Sequence, residues 1–376
     1  MRAVFITPII PSSTGNGLAM RASVWLETLA RRFETDVVAA ALFAPHETAE
    51  DFTAALARSI TMLRGTLCSV PGQPRVVPTL DDPSASALRE VLATADVVVV
   101  FRLYLAGLAE QARELGIPVV VDLDDLDWVR EERLGDLDEA AAYRTYADDV
   151  IGVATVATTA ASADASSGAA LLPGPAWMQV PNGVRHAHAS LVAPVPDIDL
   201  LFVATLGYGP NIDAAEWLVH EVLPRLPGTT AALVGADPVP PVRALAGETV
   251  TVAGDVPDVT PWYERSRVCV VPIRSGSGTR TKIPEAWVHG RPVVSTTIGA
   301  EGIDAAGAIM IADDAEGFAA ACAHLLADAS AAQRLVAAGT SRAEAHSVEV
   351  AMAQADAAID RAMTLAGRTP PPRIPA

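Results

Sequence analysis

The sequence predicts an α/β protein built from two domains, each with its own parallel sheet. The chain has 376 residues, and at about 100–200 residues per domain this length favours two domains. Apolar residues make up 51% and charged residues 19%, a composition that permits a large core and excludes global disorder. Short β-branched apolar runs alternate with amphipathic stretches along the chain, and this alternation is typical of βαβ units.

The first half of the chain alternates predicted strands with predicted helices. The strands are predicted at residues 2–7, 36–42, 96–101, 118–122 and 150–157. The helices are predicted at residues 18–32, 83–93, 104–115 and 130–147. Because a crossover helix joins parallel neighbours, these elements predict one parallel sheet that is covered by helices.

Prolines and glycines interrupt the alternation between residues 171 and 198 and predict a linker there. After the interruption the pattern restarts. Strands are predicted at residues 199–204, 229–234, 249–252, 267–271 and 292–295. Helices are predicted at residues 211–223, 261–265, 281–289, 314–327 and 330–365.

The domain boundaries follow from these patterns. We expect one Rossmann-like domain over residues 1–184, a linker over 185–198 and a second Rossmann-like domain over 199–345. A C-terminal helix is predicted over 346–367, with the option of packing back on the first domain, and a frayed tail over 368–376. Two such domains facing each other across a cleft are the predicted architecture.

The charge of the chain excludes several classes of partner. Its 27 basic and 45 acidic residues leave a formal charge of −18, which disfavours binding to nucleic acid and to anionic membranes. Cys68, Cys269 and Cys322 lie too far apart for a disulfide framework or a metal spacing, and they fit a reducing cytosol. No apolar run approaches the ~18–20 residues of a membrane span. We therefore expect a cytoplasmic protein with no metal, no nucleic-acid partner and no integral membrane association.

A glycine-rich loop with three cations follows the predicted strand 267–271. Its glycines allow backbone N–H groups to approach an anion closely, and the start of the next helix favours negative charge at the same point. Lys282 is the only lysine in the sequence. The loop therefore predicts a diphosphate site, and the alternative is an ordinary turn. The residues predicted to bind the diphosphate are Arg274, Gly276, Ser277, Gly278, Thr279, Arg280 and Lys282.

Two further side chains belong to the helix predicted after this loop. Glu285 falls near the first helical turn, where a carboxylate either stabilises the helix dipole or accepts the two hydroxyls of a ribose. His289 ends the same helix, where a cationic imidazole suits the dipole.

These residues belong to motifs that resemble the donor-binding half of retaining glycosyltransferases of family 4. The resemblance covers residues 199–303 well and the first half of the chain more loosely, through an early glycine loop and VPNGV at 180–184. The motifs are LGYGPNIDAA at 206–215, AGDVPD at 253–258, VPIRSGSGTRTKIPEA at 271–286, GRPVVS at 290–295 and GAEG at 299–302.

The resemblance implies the GT-B fold and sugar transfer from a nucleotide-diphosphate donor, with retention of anomeric configuration. The family commonly has two glutamates with seven residues between them; Glu285 matches the second, which binds the donor ribose, and Ser277 stands in place of the first. The family's Arg and Lys after the first strand of this domain are absent from residues 205–211. A subgroup reads Gly-Thr-Arg-x-Lys instead, so we expect Arg280 and Lys282 to replace that pair.

The resemblance also assigns roles elsewhere. The backbone at Gly254, Asp255 and Val256 is expected to hold the nucleotide base. The loop before helix 18–32, with Gly15 and Gly17, is expected to face the donor phosphate, and the alternative is a flexible turn.

Four carboxylates lie within six residues at the end of the predicted strand 118–122: Asp122, Asp124, Asp125 and Asp127. Three interpretations are open: a solvated loop, a divalent metal site, and the nucleophile loop of haloacid-dehalogenase phosphatases. The third is disfavoured by Leu126, which stands where that family has Thr or Val. Asp124 stands where family 4 enzymes often have a His near the acceptor.

The sequence thus predicts a glycosyltransferase that acts on an acceptor hydroxyl, with Arg280, Lys282 and Asp124 as catalytic candidates. We expect no cofactor, a UDP- or GDP-linked donor, and a soluble small-molecule or sugar acceptor. Two alternatives remain open: a non-catalytic subunit that binds nucleotide sugars, and a sugar epimerase on the same fold.

Overall fold

The computed structural model describes residues 1–40, 51–67, 70, 72–185, 195–276 and 281–373. It divides into two compact units. The first comprises Met1–Gly183 and Val348–Ala376, and the second comprises Val184–Ser347.

The first unit contains one large parallel sheet and one small antiparallel pair. Its strands are β1 (Arg2–Thr7), β2 (Glu34–Ala39), β3 (Ser59–Met62), β4 (Gly65–Leu67), β5 (Pro78–Leu80), β6 (Val97–Phe101), β7 (Val119–Asp124), β8 (Val156–Thr159) and β9 (Ala176–Gln179). The large sheet has the order β3-β2-β1-β6-β7-β8-β9, and β4 pairs with β5. All neighbours in the large sheet are parallel.

The central strands of this sheet are buried on both faces, as their continuous apolar sequence predicts. Along β6, Val98 and Val100 face one apolar layer, and Val97 and Val99 face the other. This alternation follows from the two-residue period of a strand. The first seven helices are α1 (Gly17–Ala30), α2 (Asp51–Leu56), α3 (Asp82–Leu92), α4 (Glu110–Glu114), α5 (Asp127–Leu134), α6 (Leu137–Val150) and α7 (Ser162–Leu171).

The second unit contains a six-stranded parallel sheet. Its strands are β10 (Ile198–Val203), β11 (Ala231–Gly235), β12 (Val250–Gly254), β13 (Ser266–Val271), β14 (Val293–Ser295) and β15 (Ile309–Ile311). Its helices are α8 (Gly209–Trp217), α9 (Pro240–Arg243), α10 (Thr260–Arg265), α11 (Lys282–Val288), α12 (Ala315–Ala327) and α13 (Ala329–Ala343). The strand order is β12-β11-β10-β13-β14-β15, which is the 3-2-1-4-5-6 order of Rossmann folds.

The last helix, α14 (Val348–Leu365), belongs to the first unit. Its Ala355 and Ile359 are buried in the same apolar layer as Trp25 of α1. Arg32 donates hydrogen bonds to two aspartates of α14, Asp356 at 2.8 Å and Asp360 at 2.7 Å. Among the described helices, none combines the length and the apolar character that crossing a bilayer requires.

Several predicted elements are wrong. The linker predicted between residues 171 and 198 contains β9, and the helix predicted over 104–115 is a 3₁₀ helix over Leu103–Ala109 followed by the short α4. The helix predicted over 330–365 breaks into α13 and α14, because the chain passes from one unit to the other between them. The helix predicted over 130–147 is the pair α5 and α6, since Gly135 adopts φ 83° and caps α5 in the left-handed conformation. The strand predicted over 150–157 begins with the end of α6 and a 3₁₀ turn, and β8 starts only at residue 156.

Candidate functional site

The second unit has its topological switch point between β10 and β13, where the strand order reverses. Ligands of open parallel sheets bind outside the carboxyl ends of the strands at such a point. The loop 204–208 follows β10, and the loop that begins at 272 follows β13. Gly276 lies in the second loop with φ 95°, a conformation that favours glycine. The site is built from these loops and from the side chains that follow them.

Glycines allow the chain to pack closely at this edge of the sheet. A Cβ at Gly235 would lie 1.9 Å from the carbonyl oxygen of Ala204, so only glycine fits at the end of β11. A Cβ at Gly254 would lie 2.3 Å from Cγ of Pro238. Glycine at these two positions therefore allows the ends of β11 and β12 to pack closely against the neighbouring loops.

The predicted base-binding residues lie at the carboxyl end of β12. Gly254 is the last residue of that strand, and Asp255 follows it with φ 53°. The Asp255 carboxylate accepts a hydrogen bond from the backbone N–H of Asp237 at 2.9 Å, which ties the β12 loop to the β11 loop. Val256 comes next, half-buried. At ~4.8 Å between neighbouring strands, this end of β12 lies about 14 Å from β13 across the sheet.

Glu285 and Lys282 share the first turn of α11. The half-buried Glu285 carboxylate accepts a hydrogen bond from the Tyr263 hydroxyl at 3.1 Å. Burial raises the pKa of Glu285, while the Tyr263 hydrogen bond and the positive charge of Lys282 oppose that rise. The structure therefore places the predicted ribose-binding carboxylate and the predicted phosphate-binding lysine side by side.

Tyr263 and His289 form a stacked pair behind Glu285. Their ring centroids are 4.4 Å apart and their planes differ by 5°. Burial, reinforced by the charge of Arg291, lowers the pKa of His289 to about 4. The prediction of a cationic His289 at the helix end is therefore wrong, because the imidazole is neutral at neutral pH.

Sequence analysis did not assign Tyr263 to the site. The available signal was weak: a tyrosine inside a periodic apolar segment needs a partner for its hydroxyl when it is buried. The partner, Glu285, lies 22 residues further along the chain, and no local spacing connects the two positions.

Arg274 lies in the β13 loop, where its side chain contacts α8. It donates hydrogen bonds to Asp213 at 2.5 and 3.1 Å, and its guanidinium lies 5.4 Å from the centre of the Trp217 ring. Asp213 therefore balances the charge of Arg274, and the pair connects the β13 loop to helix α8. The predicted residues Ser277, Gly278, Thr279 and Arg280 lie outside the described residues.

A cavity of about 360 Å³ lies at the carboxyl ends of β14 and β15. It is mostly apolar, with Ile298, Ile311 and Glu301 among its lining residues. The Thr297 hydroxyl donates to Asp313 at 2.7 Å beside it. Sequence analysis did not predict this cavity, although the GAEG motif supplies part of its wall.

In the first unit, Gly15 has φ 96° and Gly17 opens α1. Asn16 caps the helix, because its side-chain oxygen accepts the backbone N–H of Ala19 at 2.9 Å. The loop thus forms a capped N-terminus for helix α1. Its predicted role beside a donor phosphate stays a prediction.

The switch point of the first unit, between β1 and β6, is occupied by charged side chains. We call them the arginine–aspartate cluster: Arg21, Arg102, Arg130, Asp122, Asp124, Asp125 and Asp127. Arg21 binds the fully buried Asp122 through two hydrogen bonds of 2.7 and 2.8 Å. The indole N–H of Trp25 and the hydroxyl of Thr158 donate to the same carboxylate at 2.6 and 2.8 Å.

The other carboxylates of the cluster surround Arg102. Its guanidinium donates to Asp125 at 2.9 Å, to Asp124 at 3.2 Å and to Asp127. Burial raises the pKa of Asp127, and it raises the pKa of Asp124 to about 6 against the opposing charge of Arg21. Arg102 and Asp124 have φ values of 79° and 68°, a strained backbone for side chains other than glycine.

The interpretation of residues 122–127 as a solvated loop is wrong, since Asp122, Asp125 and Asp127 are buried. The sequence could not show this, because Arg21 lies 101 residues before Asp122. Within the described part of the chain, no group of three or more His, Cys, Asp or Glu side chains is arranged to hold a metal ion. Asp124 keeps 23% of its side chain exposed and stays the acceptor-side prediction.

Comparison with known families identifies the second unit. Residues 197–328 match the family model of the glycosyl transferases group 1. This part of the chain is thus a glycosyl transferases group 1 domain, as its motifs predict. No curated protein matches the chain significantly.

Solved structures match nearly the whole chain. Sucrose-phosphate synthase from Thermosynechococcus elongatus has a TM-score of 0.68 at 16% identity, over 94% of this chain and 96% of that one. A glycosyltransferase from Rickettsia africae has a TM-score of 0.68 at 12% identity, over 96% and 98%. Anabaena HepE in complex with UDP has a TM-score of 0.67 at 14% identity, over 94% and 98%. At these identities the likeness shows the fold, and the predicted GT-B class with two Rossmann-like domains is confirmed.

Proposed function

We propose that this protein transfers a sugar from a nucleoside-diphosphate donor to an acceptor hydroxyl. One observation carries the proposal: a half-buried carboxylate, Glu285, and the only lysine of the chain, Lys282, share one turn beside a Rossmann switch point. A carboxylate there suits the hydroxyls of a ribose, and an ammonium suits a diphosphate. The family match over residues 197–328 supports the same chemistry.

The donor binds along the carboxyl edge of the second sheet. Backbone groups at Gly254, Asp255 and Val256 hold the base, and Glu285 holds the ribose. Lys282 faces the diphosphate, together with the loop that begins at residue 272. Helix α11 has only seven residues, so its macrodipole adds little. We therefore assign most of the attraction for the diphosphate to the side-chain cations of Lys282 and of the loop.

The chemistry makes the diphosphate a leaving group. The bond between the anomeric carbon and the phosphate oxygen breaks, a bond from that carbon to the acceptor oxygen forms, and the acceptor hydroxyl gives its proton to the leaving diphosphate. Negative charge on the diphosphate grows toward the transition state, so a cation placed there lowers the barrier. A lysine can act without a metal ion, and we propose metal-independent transfer. Retention at the anomeric carbon belongs to the proposal through the family resemblance.

For the substrates we propose only the nucleotide of the donor and the general class of the acceptor. Anabaena HepE was solved with UDP and glucose and with UDP-glucose, and this supports a UDP-linked donor, with GDP as the alternative. The acidic surface of the chain, with its formal charge of −18, disfavours anionic membranes and supports a soluble acceptor.

The experiment that tests the proposal is calorimetric titration with UDP, GDP and dTDP, followed by assays of donor hydrolysis and of transfer. We expect binding of at least one diphosphate and release of that diphosphate from its sugar donor, with EDTA present. NMR of the product would show the anomeric configuration. Binding without any turnover would favour a non-catalytic nucleotide-sugar-binding protein, and conversion of the donor sugar without an acceptor would favour an epimerase.

A further inference from the structure

We infer that Tyr263 is a positioning residue that fixes the Glu285 carboxylate and thereby makes the site selective for ribose over 2′-deoxyribose. The inference rests on the proposed function, since it assumes that Glu285 contacts the ribose of a donor. It adds a residue that the sequence motifs do not single out, and it states what that residue controls.

The geometry supports a fixed orientation. The Tyr263 hydroxyl donates to Oε2 of Glu285 at 3.1 Å, and Tyr263 is only 1% exposed. The last torsion of a glutamate is broad, so one hydrogen bond to one oxygen selects an orientation that the side chain alone would not keep. With Oε2 held, the direction of Oε1 is defined as well.

Tyr263 itself is held on three sides. Its ring stacks on His289 with centroids 4.4 Å apart. Its backbone carbonyl accepts the Ser266 hydroxyl at 2.9 Å, where β13 begins. Its side chain lies in the apolar core of the second unit. These contacts restrict the movement of the Tyr263 hydroxyl, and the hydroxyl in turn restricts the movement of the Glu285 carboxylate.

The pairing is unusual for a role in packing alone. A buried tyrosine can satisfy its hydroxyl with a backbone carbonyl, as Tyr146 does with the carbonyl of Tyr104 at 3.4 Å in the first unit. Tyr263 instead binds the one carboxylate that shares the first turn of α11 with Lys282. A preorganised carboxylate binds a pair of ribose hydroxyls better than a mobile one, because no orientation has to be fixed on binding.

The test is the affinity ratio between UDP and 2′-deoxy-UDP, or between GDP and 2′-deoxy-GDP where GDP binds better. Calorimetry would measure both for the whole chain and for Tyr263→Phe, which keeps the stacked ring and removes only the hydroxyl. We expect the ribose preference to fall about threefold to tenfold in Tyr263→Phe, with the affinity for the deoxynucleotide unchanged within about twofold. Tyr146→Phe removes a buried hydroxyl in the other unit and is expected to keep the wild-type ratio.

Glu285→Gln provides the second arm. In that background the ribose preference is expected to be small, and adding Tyr263→Phe is expected to change it no further, because the hydroxyl acts through the carboxylate. Should Tyr263→Phe fail to fold, His289→Ala replaces it; this variant removes the stacking partner, keeps the hydroxyl and is expected to lower the ratio about twofold to threefold.

The outcomes are distinct. A Tyr263→Phe protein that loses thermal stability but keeps the wild-type ribose preference would overturn the inference and leave the proposed function standing. A wild-type protein that binds the deoxynucleotide as well as the ribonucleotide would overturn it too. A wild-type protein that binds none of the nucleoside diphosphates would instead remove the proposed function itself.

Discussion

The two sheets share the first six positions of their strand order, but their switch points are chemically different. In the first unit, three guanidinium groups and four carboxylates occupy the switch point and form ion pairs with one another in the arginine–aspartate cluster. In the second unit, close-packed glycines line the edge, and Glu285 meets a hydroxyl rather than a guanidinium. The same topology thus supports one edge whose charges are paired internally and one edge whose charge is suited to a ligand.

This contrast teaches that strand order only places the loops, and that the side chains on them decide the function. A buried ion-pair network costs desolvation and is not in itself a source of stability. Removing one member is nevertheless strongly destabilising, because it leaves a buried charge without compensation. A carboxylate backed by a neutral hydroxyl keeps its capacity to bind an external partner. The first edge is therefore expected to respond to mutation through stability, and the second through binding and turnover.

The largest expected effect is on the stability of the first unit. Asp122→Asn removes the fully buried charge partner of Arg21 and leaves it only the partly exposed Asp124 at 3.3 Å, and we expect the free energy of unfolding to drop by about 3–5 kcal/mol. Calorimetric unfolding would measure the shift, with the exposed Asp148→Asn as the control. A loss below about 1 kcal/mol would contradict the view that Asp122 anchors the cluster.

The corresponding change at the second edge is Lys282→Ala. Because we propose that this lysine faces developing charge on the leaving diphosphate, we expect kcat to fall by roughly 10²–10³ with the melting temperature unchanged. Steady-state kinetics would measure this. Arg267→Ala, which removes an exposed arginine near the amino end of β13, serves as the control and is expected to turn over normally. Wild-type turnover in Lys282→Ala would refute the assignment.

Donor binding should weaken in acid through Glu285. Its pKa is raised above the usual 4.5 by burial, so protonation begins at a higher pH than for an exposed glutamate. As the pH falls through this raised pKa, the ionised form that we propose accepts the ribose hydroxyls is lost, and we expect the affinity for the donor to fall by up to about tenfold per pH unit. Calorimetry between pH 7.5 and pH 5 would show the loss; Glu285→Gln should remove the slope.

The smallest expected effect is on the pH dependence of stability, through Asp124. The pKa of Asp124 is raised from 3.8 to about 6, so the folded state binds its proton more tightly than the unfolded state. The resulting stability is fully present below about pH 4 and is lost as the pH rises through 6, by roughly 1–3 kcal/mol. Asp124→Asn should flatten this part of the stability profile. An unchanged stability profile in Asp124→Asn would show that burial does not raise the pKa of Asp124.

Much of the fold follows from sequence patterns, because buried β-branched runs mark the strands directly. The strands predicted at 199–204 and 267–271 lie within one residue of β10 and β13. The segment between α13 and α14 contains no glycine or proline, so no local sequence signal indicates that the helix ends there. There the passage between units, and not local propensity, ends the helix.

The candidate site divides in the same way. Lys282 and Glu285 are three residues apart, so their neighbourhood on one helical turn is a local property that spacing predicts. The bonds of Arg21 to Asp122 and of Tyr263 to Glu285 join positions 101 and 22 residues apart. Such pairs form only when the whole sheet is assembled, and one sequence carries no periodic signal for them.

The most direct test of the account is a crystal structure of this protein with UDP or GDP bound. We predict the nucleotide at the switch point of the second unit, with the ribose hydroxyls on the Glu285 carboxylate and the diphosphate beside Lys282. A nucleotide bound elsewhere, with both side chains turned into solvent, would contradict it.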